Sequence, residues 1–144
     1  MESKNRSAYF EYFIDDKYIA GIMLTGTEVK SLRAGKASFN DSYCLIQDDE
    51  LWLKSLHIAE YSHGTVNNHD PVRDRKLLLN KKEIKKLQAK MKEKGYTIIP
   101  LRIFFNDKNL AKLEIGLAKG KKLYDKRETI KQRDTEREMK RYIK

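Results

Sequence analysis

The sequence predicts a mainly β protein with flanking helices, a six-stranded antiparallel β-barrel carrying a basic C-terminal tail that is disordered when free. Three observations predict it. Six apolar runs of strand length fall into three pairs, each joined by a short polar link. Two segments have the spacing of a helix N-terminus, Thr25 to Glu28 and Asn80 to Glu83. The last 26 residues, Lys119 to Lys144, hold eleven Lys/Arg against five Asp/Glu and no apolar residue between Ile130 and Met139, so they offer a core no continuous stripe. Residues 1–118 are expected to form the domain and 119–144 the tail.

In chain order, AYFEYFID (8–15) and YIAGIML (18–24) read as two strands turning at Asp16-Lys17. Thr25 as N-cap with Glu28 at N3 then opens a helix near 26–34 that buries Val29 and Leu32 and stops at Gly35. Its other face carries Lys30 and Arg33, with Lys36 just beyond. SYCLIQ (42–47) and LWLKSLHI (51–58) form a second hairpin around Asp48-Asp49-Glu50. Residues 59–76 are a polar connection that ends in the cations Arg73, Arg75 and Lys76, a cluster able to seat phosphates. After Leu77-Leu78-Leu79, Asn80 caps a helix near 80–94, with Ile84, Leu87 and Met91 as its buried stripe, seven lysines around it and Gly95 as its stop. In the third hairpin Ile99, Leu101, Ile103 and Phe105 share one face of residues 98–105, as do Ala111, Leu113, Ile115 and Leu117 in 111–117. Pro100 points to an edge or a bulge. Closing such hairpins into a barrel removes exposed edges, and a small basic barrel resembles the oligonucleotide-binding (OB-like) architecture.

Charge narrows the function. The chain has a formal net charge of +10, of which the tail carries +6. A balance this basic points to RNA, DNA or an anionic membrane. The tail is a good helix former, with helpful pairs such as Glu136–Lys140, and its Tyr124 and Tyr142 can stack on bases. Five acids and thin apolar content argue against a membrane helix. No apolar run approaches the ~18 residues of a membrane span and MESKNRS lacks a signal-peptide core, so a soluble, cytoplasmic protein is expected. Nothing demands a dimer, and a monomer is expected.

Catalytic patterns are missing. Cys44, the single cysteine, excludes an internal disulfide and reads as a buried, inert thiol. His57, His63 and His69 recur every six residues, which suits neither strand nor helix, so no zinc site is expected. Asp48 and Asp49 read as turn residues rather than an acid/base pair. Gly116 to Lys121 has one residue too few between its glycines for a phosphate-binding loop, and Lys122 stands where the Ser/Thr would be. A binder is favoured over an RNA-processing enzyme that would hold magnesium on Glu28, Asp41 or Asp125, and no cofactor is expected.

Three stretches, AGIMLTGTEVKSLRAGKASFNDSY (20–43), HDPVRDRKLLLNKKEI (69–84) and GLAKGKKLYDKRE (116–128), are together similar to the SmpB family of SsrA-binding proteins, in the same order along the chain. The resemblance implies an OB-type barrel with three flanking helices and a disordered tail. It implies a role in trans-translation: binding the tRNA-like domain of transfer-messenger RNA and carrying it to ribosomes stalled on broken messages. Alanyl-tRNA synthetase, elongation factor Tu and the small ribosomal subunit are the implied partners. Tyr12, Leu78 and Asn80 match residues that contact the RNA elbow, and Ile19 stands where the family often has a glutamate. The tail element maps onto Gly120, Lys121, Lys122, Asp125, Lys126 and Arg127, with Tyr124 at an aromatic or histidine position and Lys131 and Arg133 extending its cationic set. In the family this tail lies in the empty message channel as a helix.

Overall fold

The computed structural model describes residues 2–62 and 68–121. Its elements are β1 (Glu2–Lys4), α1 (Ala8–Glu11), β2 (Tyr12–Ile22), α2 (Gly26–Arg33), β3 (Ala37–Ser38), β4 (Tyr43–Gln47), β5 (Glu50–Lys54), β6 (His57–Ile58), β7 (Arg75–Leu78), α3 (Lys81–Met91), β8 (Tyr96–Phe105) and β9 (Ala111–Gly120). Six strands are hydrogen-bonded into a closed antiparallel ring in the order β8-β4-β5-β7-β2-β9, with β9 pairing back onto β8. Strand β1 pairs with β8 outside that ring, and β3 and β6 make a small separate pair. Among the described residues no helix is long and apolar enough to cross a membrane.

The ring forms because its strands bury alternate residues. Tyr18, Ala20 and Ile22 of β2 face the same core as Leu113, Ile115 and Leu117 of β9, together with Leu51 and Leu53 of β5. Helices α2 and α3 add Leu32 and Leu87 to it. The helix ends follow the sequence. Thr25 Oγ1 accepts from the Glu28 amide, Glu28 Oε1 accepts from the Thr25 amide, and Gly35 takes up a φ of +74° beyond the last turn. Asn80 Oδ1 accepts from the Glu83 amide at the head of α3. Asp48 and Asp49, both at positive φ, turn β4 into β5.

Two expectations are corrected. The first pair of runs is not a hairpin. It is one helical turn, α1, followed by a single long strand, β2, with a register shift between Ile14 and Asp16. A bulge adds one unpaired residue, so the apolar parity flips across it: Tyr12 and Ile14 face outward, Tyr18 and Ala20 inward. In sequence that flip looks like a turn. Asp16 does not turn the chain; its carboxylate accepts from the Lys17 amide and the Tyr18 hydroxyl. The second correction concerns β8, where a shift between Pro100 and Arg102 likewise splits the expected face. Ile98 and Ile103 enter the ring, whereas Ile99 and Leu101 join Ala8 and Ala118 in a second cluster outside it. Asn5 seals this bulge, its backbone N–H donating to the Leu101 carbonyl and its Nδ2 to the Pro100 carbonyl, both at 2.8 Å.

Candidate nucleic-acid interface

Strands β2 and β7 meet with Gly21 opposite Leu78 and Ile22 opposite Leu77. Because side chains alternate, Ile22 and Leu77 point into the ring while Ile19, Gly21 and Leu78 share its outer face. Ile19 is 47% and Leu78 52% exposed, although both are large and apolar. Gly21 is what lets Leu78 lie across this face, since a Cβ there would sit 3.3 Å from Leu78 Cβ. Asn80 follows two residues later, exposed, with Oδ1 committed to the cap of α3 and its amide NH2 directed to no described partner. An apolar step beside a free amide donor suits the edge and sugar face of a folded RNA more than an isolated phosphate.

Tyr12 does not belong to this surface. It pairs with Gly120 at the far end of β2, nine residues from Gly21, and packs half-buried on the outer cluster beside Ile14. At ~3.3 Å per residue that separation is roughly 30 Å.

The cations expected to seat phosphates are placed differently from one another. Arg75 is fully buried, as is Glu28. Arg75 Nε donates to Glu28 Oε2 at 2.7 Å, Nη1 to the Leu56 carbonyl at 2.6 Å and Nη2 to the Pro71 carbonyl at 3.1 Å. A guanidinium so enclosed cannot reach a phosphate. Arg73 is partly exposed and forks onto the same carboxylate, Nη2 to Oε1 at 2.7 Å and Nε to Oε2 at 3.1 Å. Burial alone would raise the Glu28 pKa, but the hydrogen bonds from Arg73, the Thr25 amide and Arg75, with the charge of Arg75, hold it down to about 2. His69 is buried between Thr27 Oγ1 and the Ile58 carbonyl, both at 2.8 Å. Lys76 pairs with Glu50 at 2.8 Å and Lys54 with Asp74 at 2.7 Å. The loop before β7 is therefore an ion-pair clamp that ties α2 to the ring. Arg33 stacks on Phe105 with its guanidinium carbon 4.1 Å from the ring centre, and Lys36 is exposed past the end of α2.

Strand β9 continues two residues beyond the expected domain boundary, so Lys119 and Gly120 pair with Phe13 and Tyr12 rather than opening the tail. Lys121 is fastened too, its Nζ donating to the Tyr9 carbonyl at 2.9 Å. Lys122, Tyr124, Asp125, Lys126, Arg127, Lys131 and Arg133 lie outside the described residues.

The family model described as SmpB protein matches residues 2–144. The chain belongs to the SmpB family. It is 57% identical over 141 residues to an SsrA-binding protein of Bacteroides thetaiotaomicron, covering 98% of this chain and 94% of that protein. An SsrA-binding protein of Fervidobacterium nodosum is 55% identical over 140 residues, 97% of this chain and 94% of its own. A solved structure described as "tmRNA-SmpB: a journey to the center of the bacterial ribosome" superposes with a TM-score of 0.71 at 50% identity, covering 83% of each chain.

Sequence reasoning missed Tyr9, Phe10 and Phe13, all three exposed. The signal was there in AYFEYFID: aromatics at 9, 10, 12 and 13 fall on both parities, more than one buried strand face can take.

Proposed function

We propose that this protein binds the tRNA-like domain of transfer-messenger RNA and delivers it to stalled ribosomes, a binding role with no catalytic step of its own. The observation that carries the proposal is the 55–57% identity, over 97–98% of the chain, to proteins named SsrA-binding protein. The exposed face of Ile19, Leu78 and Asn80 across Gly21 supplies a surface of the right chemistry for the RNA elbow. Arg33, Lys36 and the outer edge of Arg73 add positive charge for its phosphates.

The tail acts after delivery. Its cationic residues, among them Lys122, Lys126, Arg127, Lys131 and Arg133, enter the vacant message channel, where ribosomal RNA neutralises them and a helix forms, with Tyr124 and Asp125 at the decoding centre. A message still in the channel excludes the tail by volume and repulsion, which confers selectivity for stalled ribosomes. Elongation factor Tu and alanyl-tRNA synthetase join through the RNA. The work is cytoplasmic and the protein a monomer.

The test is a chain ending at Lys121, which keeps the bond to Tyr9 and the whole ring. It should bind the tRNA-like domain as the full chain does and lose the tagging of incomplete proteins. Equal loss of both activities refutes this division of labour.

A further inference from the structure

A second exposed surface lies at the other end of β2. Phe10 is 82% exposed, the most open large apolar side chain among the described residues, beside Tyr9 and Phe13. Their exposure is built in. Ala8 anchors α1 by burial against Ile99, Leu101 and Ala118, and a single helical turn held through Ala8 must turn its next two side chains away from that cluster. Cations lie against two of the rings. Lys17 Nζ lies 5.1 Å from the centre of Tyr9, and Lys121 Nζ 5.1 Å from the centre of Phe13. Lys4 and Arg6, which have no ion-pair partner among the described residues, line an open cleft of about 440 Å³ with Tyr9 as one wall. Of the acids lining that cleft, Glu2 and Glu114 are both held by Arg102; Glu11 on α1 and Asp15 and Asp16 on β2 are exposed.

We propose that Tyr9 and Phe10, with Lys4, Arg6 and Lys17 beside Tyr9, form a stacking platform for an unpaired base of small-subunit ribosomal RNA. A phenyl ring has no hydrogen-bonding group, so it recognises the flat face of a base and leaves its identity unread. Cations at its margin meet the flanking phosphates. The same cations argue against a second copy of this chain, since a symmetric contact would set like charges against each other. The platform faces the ribosome rather than the delivered RNA because Lys121, the last described residue before the tail, is bonded to Tyr9 at this spot, whereas Gly21 and Leu78 lie at the opposite end of β2. This inference rests on the function proposed above.

The experiment uses the full chain with Phe10→Ala, Phe10→Leu and Phe10→Trp, each titrated against message-free small ribosomal subunits and, separately, against the isolated tRNA-like domain. Phe10→Ala should weaken subunit binding about tenfold, the equivalent of 1.4 kcal/mol and within the range of one stacked base. Phe10→Trp should bind as well as the unaltered chain, Phe10→Leu as poorly as Phe10→Ala, and all three should hold the tRNA-like domain normally. Unchanged subunit binding by Phe10→Ala overturns the platform, and so does full binding by Phe10→Leu, which would mean a plain apolar contact with a protein. Equal weakening toward the tRNA-like domain overturns its assignment to ribosomal RNA. An unaltered chain that binds neither target brings down the underlying function, a result readily told apart from the others.

Discussion

Arg75 and Glu28, 47 positions apart in the chain, form an ion pair at 2.7 Å with both side chains sealed from solvent. Each is held by more than its partner. Glu28 also closes the capping box of α2, and the Arg75 guanidinium spans the carbonyls of Leu56 and Pro71. One carboxylate therefore joins the head of α2 to the strand β7 that carries Leu78 at its end.

Breaking this pair from either side leaves a charge buried without its counterion. Glu28→Gln and Arg75→Ala should each lower unfolding free energy by about 3–5 kcal/mol. Arg75→Lys should recover little, because an ammonium cannot span three acceptors held by a planar fork. Arg73→Ala should cost about 1 kcal/mol or less, since that side chain is partly exposed and Arg75 still partners the carboxylate. Urea unfolding of the four variants reads these differences, and an Arg73→Ala loss equal to that of Arg75→Ala would mean the buried pair is not the clamp.

The same carboxylate sets an acid limit. Its pKa falls from an ordinary 4.5 to about 2 in the folded protein, so in between the unfolded chain binds the extra proton and stability rises with pH. The contribution is fully present above pH 4.5 and is lost as pH falls toward 2, amounting to about 3 kcal/mol at most. Denaturation midpoints measured between pH 6 and pH 2.5 should therefore drop, and drop less in Glu28→Gln. Parallel profiles for the two proteins would assign the acid sensitivity to other carboxylates.

Leu78 and Asn80 separate binding from folding. Leu78→Ala removes a half-exposed side chain, so stability should change by no more than about 0.5 kcal/mol. Its affinity for the tRNA-like domain should fall by at least about 1 kcal/mol, roughly fivefold. Asn80→Ala should lose about 1 kcal/mol of stability as well, through the cap of α3. Asn80→Ser keeps a capping oxygen but no amide, so it should fold normally and still bind weakly. Full RNA affinity in Asn80→Ser would reduce Asn80 to a helix cap.

What the sequence made legible was whatever depends on near neighbours. The capping box at Thr25, the N-cap at Asn80, the stop at Gly35 and the alternation of Leu113, Ile115 and Leu117 are fixed within a few residues of chain, and all appear in the structure, whereas α3 ends at Met91, short of the expected stop at Gly95. Arg75 was misread because its burial depends on a carboxylate in a distant helix, and a run of basic residues gives no hint of which one turns inward. The bulge at Asp15 was misread because a change of apolar parity has two geometric causes, a turn and an extra residue. Only the length of β9, which pairs with β2 on both sides of the bulge, selects between them. Leu78 and Asn80 were singled out through likeness to a family, while the exposure of Phe10 was hidden by the assumption that aromatic runs are strands.

Cys44 offers a probe of the ring itself. It lies in β4, paired with Leu53 on one side and Ile98 on the other, and is 2% exposed within the core. Burial in apolar surroundings pushes its thiol pKa far up, so the reactive thiolate is suppressed as well as shielded. Alkylation in native buffer should thus proceed only through opening of the β4–β5–β8 region, and its rate should climb with denaturant in step with global unfolding. A destabilised variant such as Glu28→Gln should be labelled faster by the factor its lost stability implies, about tenfold for each 1.4 kcal/mol if opening is global. Rapid labelling of the unaltered protein without denaturant would mean that the ring opens locally beside β4, and that the sealed core is not the unit that holds β2 and β7 in register.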